Sequence, residues 1–200
     1  MSKIRLTPNA SGTGTVTLTV PSTSTDTTIT LPDTTGTLLD SSGQYVDFWY
    51  LNANQSNGTI TSGWVRAADT QPTDSRTGVW GSLGTAMSES SGVFTFPKTG
   101  IWRIQFEANI VNTAGSGYDT TYPYIQSTEN NTDFGTMSLI LRGSQPAGQS
   151  NNSACSVLFD CKDTSNYKVR FVAGSITSGY MEGVTSSARS MVTFMRMGDT

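Results

Sequence analysis

The side chains that most often perform catalysis are scarce in this sequence of 200 residues. It contains no histidine, which excludes Ser-His-Asp and Cys-His catalysis and also histidine-ligated zinc. No glycine-rich segment has the spacing of a phosphate-binding loop between a strand and a helix. A carboxylate pair for glycoside hydrolysis is brought together only by folding, so it cannot be recognised from the sequence. No residue here points to such a pair.

Two cysteines, Cys155 and Cys161, lie in one short apolar segment and have the same parity. If this segment is one straight strand, six steps of about 3.3 Å separate them by roughly 20 Å. A disulfide requires Cα atoms within about 7 Å of each other. We therefore predict two free thiols that are buried as small apolar groups. A bend that lets them meet, or a bridge between chains, is the alternative.

The acidic side chains are scattered over predicted loops and lack the spacing of a calcium-binding loop. We expect them to be solvated and predict neither a metal nor a cofactor. The loop carboxylates in question are Asp119, Glu129, Asp133, Asp160 and Asp163.

The aromatic residues divide into two groups by their position. Those with the parity of a core are Phe94, Phe96, Trp102, Phe106, Phe159, Phe171 and Phe194. Those at strand starts or in loops are Trp49, Tyr50, Trp64, Trp80, Tyr118, Tyr122 and Tyr124. We predict that the second group anchors turns and forms contacts between chains. The alternative is a surface on which flat aromatic rings stack against sugars.

The overall composition favours β structure and gives no electrostatic reason for binding nucleic acid or a membrane. Charged residues make up 14% of the chain and the net charge is −3. No apolar run approaches the length of about 18 residues that a membrane-spanning helix needs. Residues 1–12 lack the apolar segment of a secretory signal, so we expect the protein to be assembled in a cytoplasm.

The clearest structural signal is the strict alternation of apolar and polar residues from Trp102 to Ile110. Successive side chains of a strand point to opposite faces, so this pattern predicts a strand with one buried face. Phe94 and Phe96 form a shorter alternating run before it, and Pro97 and Gly100 flank the link. We predict a β-hairpin formed by these two strands.

Residues 91–102, SGVFTFPKTGIW, resemble a signature of the C1q and tumour-necrosis-factor-like jelly rolls, G-x-F-x-x-P-x-x-G-x-Y. Residues 190–195, SMVTFM, resemble the closing strand of that family but lack its usual glycine, and Trp102 occupies the usual aromatic position. The resemblance covers roughly residues 45–200. It implies an antiparallel jelly-roll sandwich that assembles as a trimer and has no enzyme activity.

Further strands with turn signals between them are spread over residues 44–200, and no segment has a convincing helical period. We therefore predict one all-β jelly-roll domain over 44–200. Residues 45–51 and 191–197 have apolar side chains on both faces, which a monomer would leave partly exposed. The side chains predicted to contact partner chains in a homotrimer are Trp49, Met191, Met195 and Met197.

Residues 1–43 have a different composition and are predicted to form an extended β arm. Thirteen of the first forty residues are threonine. Two β-like runs, TVTLTV at 15–20 and TTITL at 27–31, contain too few apolar groups to close a core, so the arm must order against another protein surface. The side chains predicted to be buried there are Val16, Leu18, Val20, Ile29 and Leu31.

Residues 12–39 also resemble an N-terminal module of tail-fibre, head-fibre and other virion proteins of bacteriophages. This resemblance implies a virion-attachment arm and does not specify the virion surface. The sequence thus predicts a structural virion protein: a trimeric capsid decoration protein or short head fibre that contacts the major capsid protein or a tail component. The alternative is a tail-fibre or receptor-binding protein that recognises a host surface glycan.

Overall fold

The computed structural model describes residues 44–70, 72, 80–113, 118–119, 121–139, 145–146 and 148–200. The predicted arm, its five apolar residues and the predicted boundary at residue 43 lie outside these ranges. Within them the chain forms strands and turns, and no helix long and apolar enough to cross a membrane is found there. The predicted all-β class is confirmed.

The strands of the described residues follow one another with short links. In chain order they are β1 (Val46–Leu51), β2 (Gly58–Thr59), β3 (Trp64–Arg66), β4 (Ser88–Ser90), β5 (Val93–Thr95), β6 (Gly100–Asn112), β7 (Tyr118–Asp119), β8 (Tyr122–Thr128), β9 (Gly135–Leu139), β10 (Gln145–Pro146), β11 (Ser150–Cys161), β12 (Lys168–Gly174), β13 (Gly179–Met181) and β14 (Met191–Gly198).

These strands form two antiparallel sheets and one short ladder. The first sheet has the order β11-β6-β14-β1-β3, and β13 pairs with β6 beyond the end of β14. The second sheet has the order β4-β5-β12-β8-β9, with β2 beside β12, and β7 pairs with β10 separately. The last strand therefore lies between β6 and β1, with Val46 opposite Met195.

The long strand β6 has the alternation that the sequence predicts. Trp102, Ile104, Phe106, Ala108 and Ile110 are all buried and point towards the second sheet. The predicted hairpin, however, is wrong, because β5 pairs with β4 and β12 whereas β6 pairs with β11, β13 and β14. Residues 97–99 instead carry the chain from one sheet to the other.

The error has a simple physical cause. Alternation shows which residues of a strand are buried, but it does not show which strand is the neighbour. Two strands that face each other across a core bury alternate residues in the same way as two strands that pair in one sheet. The crossing is held by the indole of Trp102, which donates to the carbonyl oxygen of Lys98 at 3.1 Å. The same ring packs on Phe96 with centroids 5.2 Å apart.

The core between the sheets is a layer of aromatic rings. Phe94 and Phe171 enter it from the second sheet, and Trp64, Phe106 and Phe194 enter it from the first. The rings of Phe106 and Phe171 meet across the layer with centroids 4.9 Å apart, and those of Phe94 and Phe194 are 5.2 Å apart. All seven aromatic residues predicted to be in the core are buried.

A buried carboxylate stabilises the edge of the first sheet. Asp47 on β1 accepts hydrogen bonds from Arg66 Nε at 2.7 Å, Trp49 Nε1 at 2.9 Å, Met87 N at 2.9 Å and Phe48 N at 3.1 Å. It therefore joins β1 to β3 and to the segment that leads into β4. Four donors compensate for the loss of hydration that a buried carboxylate would otherwise suffer.

We expect Phe171→Ala to lower the free energy of unfolding by about 3–5 kcal/mol, because it leaves a cavity among rings from both sheets. Urea unfolding monitored by tryptophan fluorescence measures this loss. Phe48→Ala is the control, since Phe48 is half-buried outside the core, where it packs on Trp80. Equal losses for the two variants would contradict the assignment of Phe171 to the centre of the core.

We expect Asp47→Ala to lower the free energy of unfolding by about 3–5 kcal/mol, because it leaves Arg66 without its buried counter-charge. Asp69→Ala is a matched control, since Asp69 also pairs with Arg66, at 2.8 Å, but its side chain is 67% exposed. Its loss should be below about 1 kcal/mol. A similar effect of both substitutions would show that burial of the Asp47 pair is unimportant.

Candidate assembly and binding surfaces

The side of the first sheet that faces away from the core is a mixed surface of apolar and polar groups. We call it the outer face of the first sheet. It consists of the alternate side chains of β1, β6, β11 and β14, which are Val46, Phe48, Ile101, Arg103, Gln105, Glu107, Ala154, Ser156, Leu158, Met191, Thr193 and Met195.

The predicted interface residues of β14 lie on this face. Met191 and Met195 are half-buried there, and Met197, which follows them at a bulge in the strand, is 59% exposed. Trp49 points into the core and is only 9% exposed, and its ring centroid lies 5.3 Å from that of Phe94. Because Trp49 has little surface left for a second chain, we remove it from the predicted interface.

Sequence reasoning missed Leu158, which is 64% exposed on the outer face of the first sheet, opposite Arg103. The signal was present, because the inward parity of Cys155 and Cys161 places residue 158 on the opposite side of the same strand. Apolar side chains this exposed, close to the methionines of β14, mark a surface suited to contact with another protein.

A row of hydrogen-bonded polar side chains runs along β6 on the same face. Arg103 Nη2 donates to Gln105 Oε1 at 3.2 Å, and Gln105 Nε2 donates to Glu107 Oε1 at 2.8 Å. The row fixes three long side chains in one orientation. It supplies polar groups that could pair with a partner chain in a defined register.

A polar groove of about 780 Å³ lies beyond Glu107, where β14 no longer covers β6. Its walls are β6, β11 and residues 188–191. Asn109 Nδ2 donates to Glu182 Oε2, and the Arg189 guanidinium lies 4.0 Å from the same carboxylate oxygen. Glu182 is thus engaged by neighbouring side chains, and the groove presents amide and hydroxyl groups together with the carboxylate of Glu107.

Cys155 and Cys161 are buried and free, as predicted. They lie on the core side of β11, which pairs with β6 without a register shift from Ser150 to Cys161. Burial raises the pKa of the Cys155 thiol to about 12, although a hydrogen bond with Ser138 acts in the opposite direction. Burial likewise raises the pKa of Cys161 to about 11. Both thiols are therefore protonated and unreactive near neutral pH.

The other chemical predictions concern loop carboxylates. Asp133 accepts a hydrogen bond from Asn130 Nδ2 at 2.7 Å, and Asp163 accepts one from Asn166 Nδ2 at 2.6 Å. Each of these carboxylates therefore closes a turn. Backbone and side-chain donors of residues 165 and 166 hold the pKa of Asp163 below its usual value. In the described part of the chain, no three acidic or cysteine side chains are grouped closely enough to hold a metal ion.

The second group of predicted aromatic residues is distributed over three environments. Trp49, Tyr50 and Trp64 are buried, and Trp80 packs on Phe48 with centroids 4.4 Å apart. The side chain of Tyr118 is not among those that the structure describes. Tyr122 and Tyr124 are half-exposed on the outward side of β8 in the second sheet, with centroids 5.9 Å apart.

The outward side of the second sheet, which we call its outer face, also carries cations. Its side chains include Gln126 of β8 and Lys168, Arg170 and Val172 of β12. Arg170 Nε donates to Gln126 Oε1 at 2.7 Å, and its guanidinium lies 4.1 Å from the centre of the Phe134 ring.

Solved structures with this arrangement identify the fold. A crystal structure of murine APRIL at pH 5.0 matches 77% of this chain and 99% of its own length, with a TM-score of 0.56 and 10% identity. The structure of Eiger TNF from S. frugiperda matches 79% of this chain and 95% of its own, with a TM-score of 0.54 and 13% identity. The fold is that of a TNF-like jelly roll. The sequence matches no protein family model and no curated protein, and at these identities the structural likeness concerns the jelly-roll fold alone.

We expect both thiols of the folded jelly roll to resist modification. Incubation of the native protein with Ellman's reagent at pH 8 should release almost no thiolate, because both pKa values are raised by burial and the sulfur atoms are inaccessible. Addition of urea should expose two thiols per chain. A rapid reaction of the native protein, or a Cys155–Cys161 bridge detected by mass spectrometry, would contradict the assignment.

Proposed function

We propose that this chain is a structural protein of a bacteriophage virion: a trimeric capsid decoration protein or short head fibre whose N-terminal arm attaches it to the particle. The observation that carries the proposal is that residues 12–39, which resemble the attachment module of phage virion proteins, precede a jelly roll that begins at β1. In this proposal the protein is assembled in the host cytoplasm, resides in the virion and has no catalytic role.

Trimer formation is supported by the outer face of the first sheet. Met191, Met195, Met197 and Leu158 provide adaptable apolar surface there, and contact with other copies would remove it from water.

Attachment is supported by the composition of the arm. Its two β-like runs have apolar side chains at alternate positions, which is the sequence pattern of a strand that adds to another protein. The partner would be the major capsid protein or a tail component.

We expect Leu158→Glu to shift the protein towards monomers, because it places a charge within the proposed interface. Leu139→Glu is the matched control, since Leu139 is 42% exposed but belongs to the second sheet. Sedimentation velocity at micromolar concentration distinguishes the two. A wild-type protein that remains monomeric under these conditions would refute the trimer.

We expect Leu18→Asp to prevent incorporation into phage particles while the purified protein keeps its assembly state. Thr17→Asp is the matched control, because it places the same charge on the opposite face of the same predicted strand. Quantitative immunoblotting of purified particles measures incorporation. Wild-type incorporation of a chain lacking residues 1–39 would overturn the anchoring role.

A second candidate function is recognition of a host surface glycan by a tail-fibre-type protein. It is favoured by one observation, the pair of half-exposed tyrosine rings on the outer face of the second sheet. Trimer formation and recognition are compatible, because the proposed interface and the tyrosine pair lie on different sheets.

A further inference from the structure

The outer face of the second sheet carries two aromatic rings side by side. On β8, Pro123 and Ile125 point inwards and are buried, so Tyr122, Tyr124 and Gln126 point outwards. The two tyrosine rings have centroids 5.9 Å apart and are tilted by 39°. Together they form a platform with apolar ring faces and polar hydroxyl tips.

The platform is held in place by the neighbouring strand. Gly174 of β12 lies directly beneath the rings, since a Cβ atom there would be 2.6 Å from Tyr124 and 2.7 Å from Tyr122. Ser175 Oγ donates to the hydroxyl oxygen of Tyr122 at 2.8 Å. The rings are therefore positioned before any ligand arrives, which lowers the entropic cost of binding.

A guanidinium lies on the same outer face as this platform, beside Gln126. Arg170 is opposite Gln126 in the ladder, and the next outward residue of β8 is Tyr124. The Nε atom of Arg170 is bonded to Gln126, and its guanidinium carbon lies 4.1 Å from the centre of the Phe134 ring. Within the described residues, its two terminal nitrogens have no protein acceptor. They remain donors that could bind a carboxylate in a bidentate manner.

The charge of this face is opposite to that of the chain as a whole. The outward side chains of β5, β8 and β12 include two cations, Lys168 and Arg170, and no carboxylate, whereas the net charge of the protein is −3. Glu129 and Asp133 belong to the loop between β8 and β9, and Asp133 is bonded to Asn130. The face is therefore electrostatically complementary to an anion.

We propose that Tyr122, Tyr124 and Arg170 form a binding site for a saccharide that carries a carboxylate. The C–H groups on one face of a sugar ring would pack on the tyrosine rings, while its hydroxyl groups would bond to Gln126 and to the tyrosine hydroxyls. The carboxylate would pair with Arg170. This inference rests on the second proposed function, which it deepens by naming the ligand class and the residues.

The location of the site agrees with this role. It lies on the sheet opposite to the proposed trimer interface, so assembly through the first sheet would leave it accessible. A hydroxyl-rich ligand also fits better than an apolar peptide, because the rings are only half-exposed and are surrounded by hydrogen-bonding groups.

The test uses the purified full chain on an array of acidic and neutral oligosaccharides, followed by calorimetric titration with the best acidic oligosaccharide and its carboxyl-reduced form. We expect the acidic form to bind, and carboxyl reduction to raise its Kd by about tenfold or more. Tyr124→Ala and Arg170→Gln should each raise the Kd of the acidic form by about tenfold.

Two variants away from the site serve as controls. Tyr180→Ala removes a half-buried tyrosine from β13 of the first sheet, and Lys162→Gln removes an exposed cation from the turn after β11. Both should leave the Kd unchanged. Circular dichroism and sedimentation verify that every variant retains its fold and assembly state.

Several outcomes would overturn the inference. They are the absence of binding to any acidic oligosaccharide, equal binding of the carboxyl-reduced form, preferential binding of a neutral oligosaccharide, or binding that survives both Tyr124→Ala and Arg170→Gln. None of these affects the attachment proposal, because incorporation into particles is measured separately and depends on the arm.

Discussion

The structure depends on the contact between aromatic rings that come from two different sheets. Phe94 and Phe171 from the second sheet interlock with Phe106 and Phe194 from the first, and Trp64 closes one side of the layer. Neither sheet has an apolar face that could stay in water alone, so each requires the other. Because the rings pack inwards, the two outward faces are free to differ, and they do: one carries methionines and an exposed leucine, the other tyrosines and cations.

Much of this layer was predictable from sequence. The alternation from Trp102 to Ile110 identifies both a strand and its buried face, since only a strand places every second residue on one side. The same rule applied to Cys155 and Cys161 predicted two separate buried thiols, and the continuous pairing of β11 with β6 confirms it. Where one face is apolar and the other polar, periodicity alone determines the burial.

The features that sequence did not reveal depend on contacts between distant residues. The partners of Asp47 lie 19 and 40 positions away at Arg66 and Met87, and the support beneath Tyr124 comes from Gly174. Trp49 was misplaced because both faces of β1 are apolar, so parity gives no direction. The link at residues 97–99 was misread because a sheet-to-sheet crossing and a hairpin leave the same pattern of burial.

The position of β14 has a consequence for how the protein is made. This strand lies between β6 and β1, so the first sheet stays split into separate parts until β14 has been synthesised and has left the ribosome. Until then, the nascent chain presents two unpaired strand edges beside an incomplete aromatic layer, a state prone to aggregation. The first sheet can therefore close only once β14 is available, and a chain truncated before Met191 would be unable to complete its core.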